Sequence, residues 1–112
     1  MKFDKSLLSG STTMLVLSLL QSGDKYGYEM ISLLSLRSEN AFQLKEGTLY
    51  PILHGLERDG CVEAYEKEAP GGRMRRYYRI TPRGRVLLTE RTDEWRRFSG
   101  AVEQVLGERC QI

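Results

Sequence analysis

The sequence has little of what builds cross-linked, metal-bound or catalytic proteins. It carries two cysteines, Cys61 and Cys110, and one histidine, His54, in 112 residues. Neither cysteine stands at metal-ligand spacing, which argues against a disulfide framework and against a zinc site. No carboxylates pair in a pocket-like pattern, no glycine loop has the phosphate-cradling form, and no nucleophile has an evident base. An enzyme is therefore not expected, nor are catalytic residues, metal ligands or a cofactor. Long apolar runs are also missing. The longest, Met14 to Leu20, is broken by Ser18 and falls far short of the roughly 20 residues that span a bilayer. Residues Met1 to Ser9 lack the unbroken apolar core of a signal peptide, so a cytoplasmic, reducing location and no membrane partner are expected.

Net charge is small as well, +2, so the informative quantity is where the charge lies. Between Gly71 and Arg97 stand nine arginines (Arg73, Arg75, Arg76, Arg79, Arg83, Arg85, Arg91, Arg96 and Arg97) against three acids, Glu90, Asp93 and Glu94. A chain of this length with 40% hydrophobic residues fits one core-bearing domain.

Periodicity orders the chain as three helices, a hairpin and a long helix. Leu7, Leu8, Met14, Leu15, Leu17, Leu19 and Leu20 make a first helix apolar on most sides, stopped by Ser22-Gly23-Asp24. Met30, Ile31, Leu33 and Leu34 mark a second, from Glu29 to about Leu36. Leu49, Ile52, Leu53 and Leu56 mark a third that ends at Asp59-Gly60. Pro51 leaves two starts open for the third helix, an N-cap at Thr48 with Pro51 in the first turn, or a start near Glu46 with a bend. Cys61–Glu66 and Arg76–Ile80 alternate as paired strands, with Val62 and Ala64 facing inward opposite Tyr78 and Ile80. Ala69-Pro70-Gly71-Gly72-Arg73 forms the turn between them. Thr81 caps a last helix with Pro82 in its first position, running about 25 residues toward Gly107.

On a helical wheel the third helix turns Gly47, Pro51, His54, Gly55 and Arg58 outward, a nearly bare face. Small residues there let the backbone approach base edges in the roughly 12 Å wide major groove. Taken alone, Gly47 and Gly55 could equally sit on solvent. The hairpin that follows places Arg73, Arg75 and Arg76 at or beside its tip, where arginines contribute phosphate contacts and a salt-dependent term. Tyr26 and Tyr50 offer hydroxyls to phosphates, and Lys45 and Thr48 join them at the start of the third helix. Each tyrosine could instead pack as a half-buried aromatic, and for Tyr28 that is the expectation.

Along the last helix Leu88, Trp95 and Val102 recur at heptad spacing, with Arg91, Phe98 and Val105 interleaved. With Leu106, they make a coiled-coil-like seam flawed at Arg91. Two such helices paired about a two-fold axis would set two recognition helices about 34 Å apart, on a pseudo-palindromic site. The alternative is an amphipathic helix folded back on its own domain.

Tyr26-Gly27-Tyr28-Glu29, Glu46-Gly47-Thr48-Leu49-Tyr50-Pro51-Ile52-Leu53, Leu56-Glu57-Arg58-Asp59-Gly60, Tyr77-Tyr78-Arg79-Ile80-Thr81-Pro82-Arg83-Gly84 and Trp95, in this order, resemble the PadR family of bacterial regulators. The resemblance spans nearly the whole chain and is to the short branch with one C-terminal helix. It implies an α+β, mainly α fold: a winged helix-turn-helix of three helices and a two-stranded wing, with a C-terminal dimerisation helix. The division expected is residues 1–80 for the DNA-binding domain and 81–112 for the dimerisation helix. It further implies a homodimeric repressor on inverted-repeat operators, and control by a small aromatic effector held at Trp95 and Phe98. Two other functions compete: a winged helix that binds protein, and a redox-sensing regulator using Cys61 or Cys110, with Arg109 beside the latter.

Overall fold

The computed structural model describes Phe3 and residues 5–107. Its elements run α1 (Lys5–Ser9), α2 (Thr12–Gln21), β1 (Lys25–Tyr26), α3 (Gly27–Arg37), α4 (Glu46–Arg58), β2 (Val62–Glu68), β3 (Met74–Ile80) and α5 (Pro82–Leu106). The architecture is mainly helical, with one small antiparallel sheet in the order β1-β3-β2.

The single apolar helix expected at the start is two. Gly10 and Ser11 interrupt it, and the turn is closed by the Ser11 N–H donating to the Leu8 carbonyl at 2.9 Å. Only α2 is buried, through Val16, Leu17, Leu19 and Leu20, whereas Leu7 of α1 is exposed. Leucine content set the expectation, but glycine and serine together favour a break in a helix too short to resist it.

α3 starts two residues earlier than its apolar spacing suggests. Tyr26 holds an extended backbone (φ −97°, ψ 169°) at the N-cap, and the Glu29 carboxylate accepts from the Tyr26 N–H at 3.1 Å. That satisfies a donor the helix cannot. In α4 the earlier of the two possible starts is realised. Lys45 is the N-cap and Pro51 lies inside the helix, where it denies the Gly47 carbonyl its intrahelical donor.

The hairpin brings the two expected inward sets together, Val62 opposite Ile80 and Ala64 opposite Tyr78, and extends to pair Glu68 with Met74. Strand β1 was not legible: Lys25 and Tyr26 pair with Tyr78 and Tyr77, a bridge too short to alternate. α5 opens as its sequence suggests, with the Thr81 hydroxyl accepting from the Gly84 N–H at 3.0 Å and Pro82 in the first turn. It ends at Gly107 in a left-handed conformation (φ 81°).

One core joins α2, α3, the inner face of α4, the sheet and the base of α5. Leu17, Leu20, Met30, Leu49, Leu53, Val62 and Tyr78 are essentially inaccessible. Leu88 belongs to this core at 7% exposure. It therefore leaves the seam to which heptad spacing assigned it, because its turn of α5 still lies on the domain.

Candidate nucleic-acid interface

α4 is built with two unlike faces. Leu49, Leu53 and Leu56 are buried, and Ile52 packs against them in part. Lys45, Gly47, Thr48, Pro51, His54 and Arg58 are all exposed, while Gly55 is half-buried. A Cβ added to Gly47 would meet nothing within 4 Å, so the outward surface at the helix start is open space beside bare backbone.

Tyr50 does not stand among these outward residues. Its ring and hydroxyl press on Gly27 at the start of α3, where a Cβ would collide with the Tyr50 hydroxyl and lie 2.8 Å from its Cζ. Burial, with the Glu46 charge second, pushes the Tyr50 phenol above its ordinary ionisation range. Of the two roles open to it, half-buried packing is the one these contacts display. Tyr26 is likewise half-buried, its ring edge-on to Tyr77 with centroids 5.3 Å apart. Tyr28 reverses its expectation, at 64% exposure, because α3 turns it away from the sheet that Tyr26 joins.

The arginines expected as one unpaired cluster separate. The tip is a turn closed by the Ala69 N–H on the Arg73 carbonyl (2.8 Å), with Gly71 at φ 98° and Gly72 at φ 87°. Such positive angles suit glycine and exclude most other residues. Arg73 is exposed there, with no side-chain partner among the described residues. Arg75 and Arg76 sit in strand β3, on opposite faces of the sheet. The Arg75 guanidinium covers the Tyr26 ring at 5.2 Å, and Arg75 Nε is buried without a partner among the described residues. Arg76 reaches back to α4 and pairs with Glu57 at 3.2 Å. Arg79 is held by Asp24 at 3.3 Å and Glu63 at 3.5 Å. Asp24 also accepts from the Tyr65 hydroxyl at 2.6 Å. Sequence reasoning assigned no role to Glu57, Asp24 or Gly27, although Gly27 stands in the Tyr-Gly-Tyr motif and Glu57 in Leu56-Glu57-Arg58-Asp59-Gly60. The ion pairs join residues far apart in the chain, which no local pattern announces.

The distal half of α5 carries an uncovered apolar stripe: Trp95 is 47% exposed, Phe98 66%, Val105 87% and Leu106 67%. Val102 is exposed beside them. Within α5 only Gly84 and Leu88 are buried. The helix is not folded back along its length. A concavity of about 740 Å³ lies elsewhere, between the hairpin tip and β1, lined by Tyr77, Asp24, Glu29, Lys67 and Glu68. Cys61 is buried, which withdraws its thiol from solvent; Cys110 and Arg109 lie outside the described residues. Among the described residues no helix is long and apolar enough to cross a membrane, and no three His, Cys, Asp or Glu side chains gather as a metal site.

A comparison with known families matches residues 16–90 to the transcriptional regulator PadR-like family. An uncharacterized protein of Lysinibacillus sphaericus, protein X, is 39% identical over 89 residues, 80% of this chain and 82% of its own length. The transcriptional regulator Rv3488 of Mycobacterium tuberculosis is 43% identical over 70 residues, 62% of each chain. Among solved structures, a transcriptional regulator from Clostridium thermocellum superposes with a TM-score of 0.81 at 31% identity, covering 88% of this chain and 96% of its own. A PadR family regulator from Clostridium difficile does so at 0.73 and 33% identity, covering 87% and 99%.

Proposed function

Because the chain belongs to the PadR-like family of transcriptional regulators, we propose that it acts in the cytoplasm as a homodimeric repressor bound to inverted-repeat operators. The observation that carries this reading is the stripe of Trp95, Phe98, Val102, Val105 and Leu106, left open on a helix that extends away from its own core. A patch of that kind on a small monomer marks an association surface. A second copy of the same helix covers it with matching side chains about a two-fold axis. The division expected at residue 80 then falls later along the chain, because α5 completes the core as far as Leu88 and only its distal part serves as a dimerisation helix.

In this arrangement Gly47, Thr48, Pro51 and His54 face the major groove, with Lys45 at the phosphate-facing start of α4. Arg73 carries the wing's phosphate contact. Arg75 and Arg76 add charge from positions already braced by Tyr26 and Glu57, while Tyr26 and Tyr50 act as supports. A flat aromatic effector inserted between paired helices would meet Trp95 and Phe98, and quenching of the single tryptophan reports such binding.

Sedimentation combined with selection of bound duplexes from a random pool tests the proposal. A concentration-dependent dimer and a recovered pseudo-palindrome with half-sites about one helical turn apart are expected. A monomer at all concentrations, or binding to every duplex alike, would overturn it. Association with a protein instead of DNA would be insensitive to salt, whereas operator affinity should fall steeply as salt rises.

A further inference from the structure

The recognition helix ends and the long helix begins on the same few backbone atoms. After its C-cap at Asp59, α4 turns through Gly60 at φ 78° into Cys61. The chain returns to this point at Thr81, beyond the hairpin. The Thr81 N–H donates to the Cys61 carbonyl at 3.1 Å. The Thr81 hydroxyl donates to the Gly60 carbonyl at 2.7 Å while accepting from the Gly84 N–H at 3.0 Å. Gly84 closes the junction. A Cβ placed on it would overlap the Cys61 carbonyl oxygen and lie 2.8 Å from Cγ1 of Ile80.

A joint made of long side chains adjusts by changing rotamers, but one made of carbonyls, an N-cap hydroxyl and a glycine Cα has no such freedom. The base of α5 is thus tied to the end of α4, while the turns that follow run alongside Ser18 and Gln21 of α2. Past Leu88 the helix leaves the core and its apolar side chains are open. At 1.5 Å per residue, Trp95 lies about 16 Å and Leu106 about 33 Å along the axis from Gly84. A tilt of about 10° at the junction therefore carries the seam roughly 3 to 6 Å relative to α4, against about 3.4 Å for one base-pair step.

We infer that Thr81 and Gly84 are positioning residues for operator recognition: their junction with the Gly60 and Cys61 carbonyls sets the angle between α4 and α5, and so the half-site spacing a dimer accepts. The inference rests on the proposed pairing of α5 with a second copy. Neither residue lies on the outward face of α4 or on the wing. Their effect is on distance between half-sites, with the reading of each half-site left intact.

The test uses full-length wild type, Gly84→Ala, Thr81→Val and Thr81→Ser. The probes are duplexes carrying the selected operator with its centre lengthened or shortened by one or two base pairs, and a duplex with a single half-site. Wild-type affinity is expected to fall about tenfold for a one-base-pair change. In Gly84→Ala and Thr81→Val the best spacing shifts, or the preference flattens to less than about threefold, while dimerisation and single half-site affinity hold. Thr81→Ser retains the hydroxyl and keeps the wild-type profile. A purely structural role would lower the melting temperature of both variants and leave their spacing profile unmoved. That result overturns the inference while the dimer reading stands. A Gly84→Ala chain that does not fold passes the decision to Thr81→Val against Thr81→Ser. A monomeric wild type overturns the dimer reading and this inference together.

Discussion

Gly27 and Tyr50 face each other across the angle between α3 and α4, and their contact limits what either position can carry. Gly27→Ala is expected to destabilise the domain by about 1 to 3 kcal/mol, the usual cost of overpacking, measured by urea denaturation. Adding Tyr50→Phe to that variant should recover part of the loss, because it removes the hydroxyl the new methyl strikes first. The same tyrosine gives an alkaline signature. Burial raises its ionisation above the ordinary value of 10.0, so the folded state binds this proton more tightly than the unfolded chain does. Its contribution is complete below pH about 10 and is lost as pH climbs through the folded value. Tyr50→Phe should flatten that decline without abolishing it, since Tyr65, raised by its hydrogen bond to Asp24, declines with the same sign. Among the described residues Arg73 has no side-chain partner, while Arg76 is paired with Glu57. Arg73→Ala should therefore lower the slope of log affinity against log salt by about 1 for all duplexes alike. An unchanged slope would remove Arg73 from the phosphate contacts.

At the scale of elements, α4 is the departure from ordinary helix design. Pro51 inside it costs the Gly47 carbonyl a hydrogen bond, an effect of up to about 3 kcal/mol in a helix interior. Part is offset by the stiffer unfolded chain, about 0.4 to 1 kcal/mol. Pro51→Ala should then raise stability by roughly 1 to 2 kcal/mol in chemical denaturation, and no gain would mean that the helix had already adapted around the ring. The strands behave differently. Their register was legible because Val62, Ala64, Tyr78 and Ile80 alternate, and a slip of one residue would turn the buried set outward. Their length was not, because the pairs Lys67–Arg75 and Glu68–Met74 hold three charged residues and an exposed methionine and carry no inside-outside pattern. For the same reason Arg75 reads from sequence as tip and proves to be strand.

For the molecule as a whole, α5 has two jobs along one helix. Its first turns complete the core, and its last turns project an uncovered surface. Substitutions in the two halves should part accordingly. Leu88→Ala is expected to cost about 2 to 5 kcal/mol of folding stability, as a buried leucine does. Phe98→Glu should leave the melting transition of the domain nearly in place but weaken self-association by 30-fold or more, roughly 2 kcal/mol or above. Sedimentation and thermal denaturation on the same samples separate these effects. Dimerisation as strong in Phe98→Glu as in wild type would move the seam elsewhere.

Local chemistry settled most of the element plan: Thr81-Pro82 opens a helix, Gly71-Gly72 turns a hairpin, and leucines three and four apart bury one side of α4. It also left the outer face of α4 bare, the feature that first marked it as a reading helix. These properties belong to residues and their near neighbours, so they survive being read in one dimension. Tertiary structure decided what depends on contacts between distant segments. It gave Glu57 and Asp24 as partners to wing arginines, turned Tyr50 onto Gly27, drew Leu88 into the core, and set the base of α5 on the carbonyls that end α4. Partner choice is a property of three-dimensional distance, and the chain that brings Arg76 to Glu57 or Gly84 to Cys61 leaves no periodic trace of having done so.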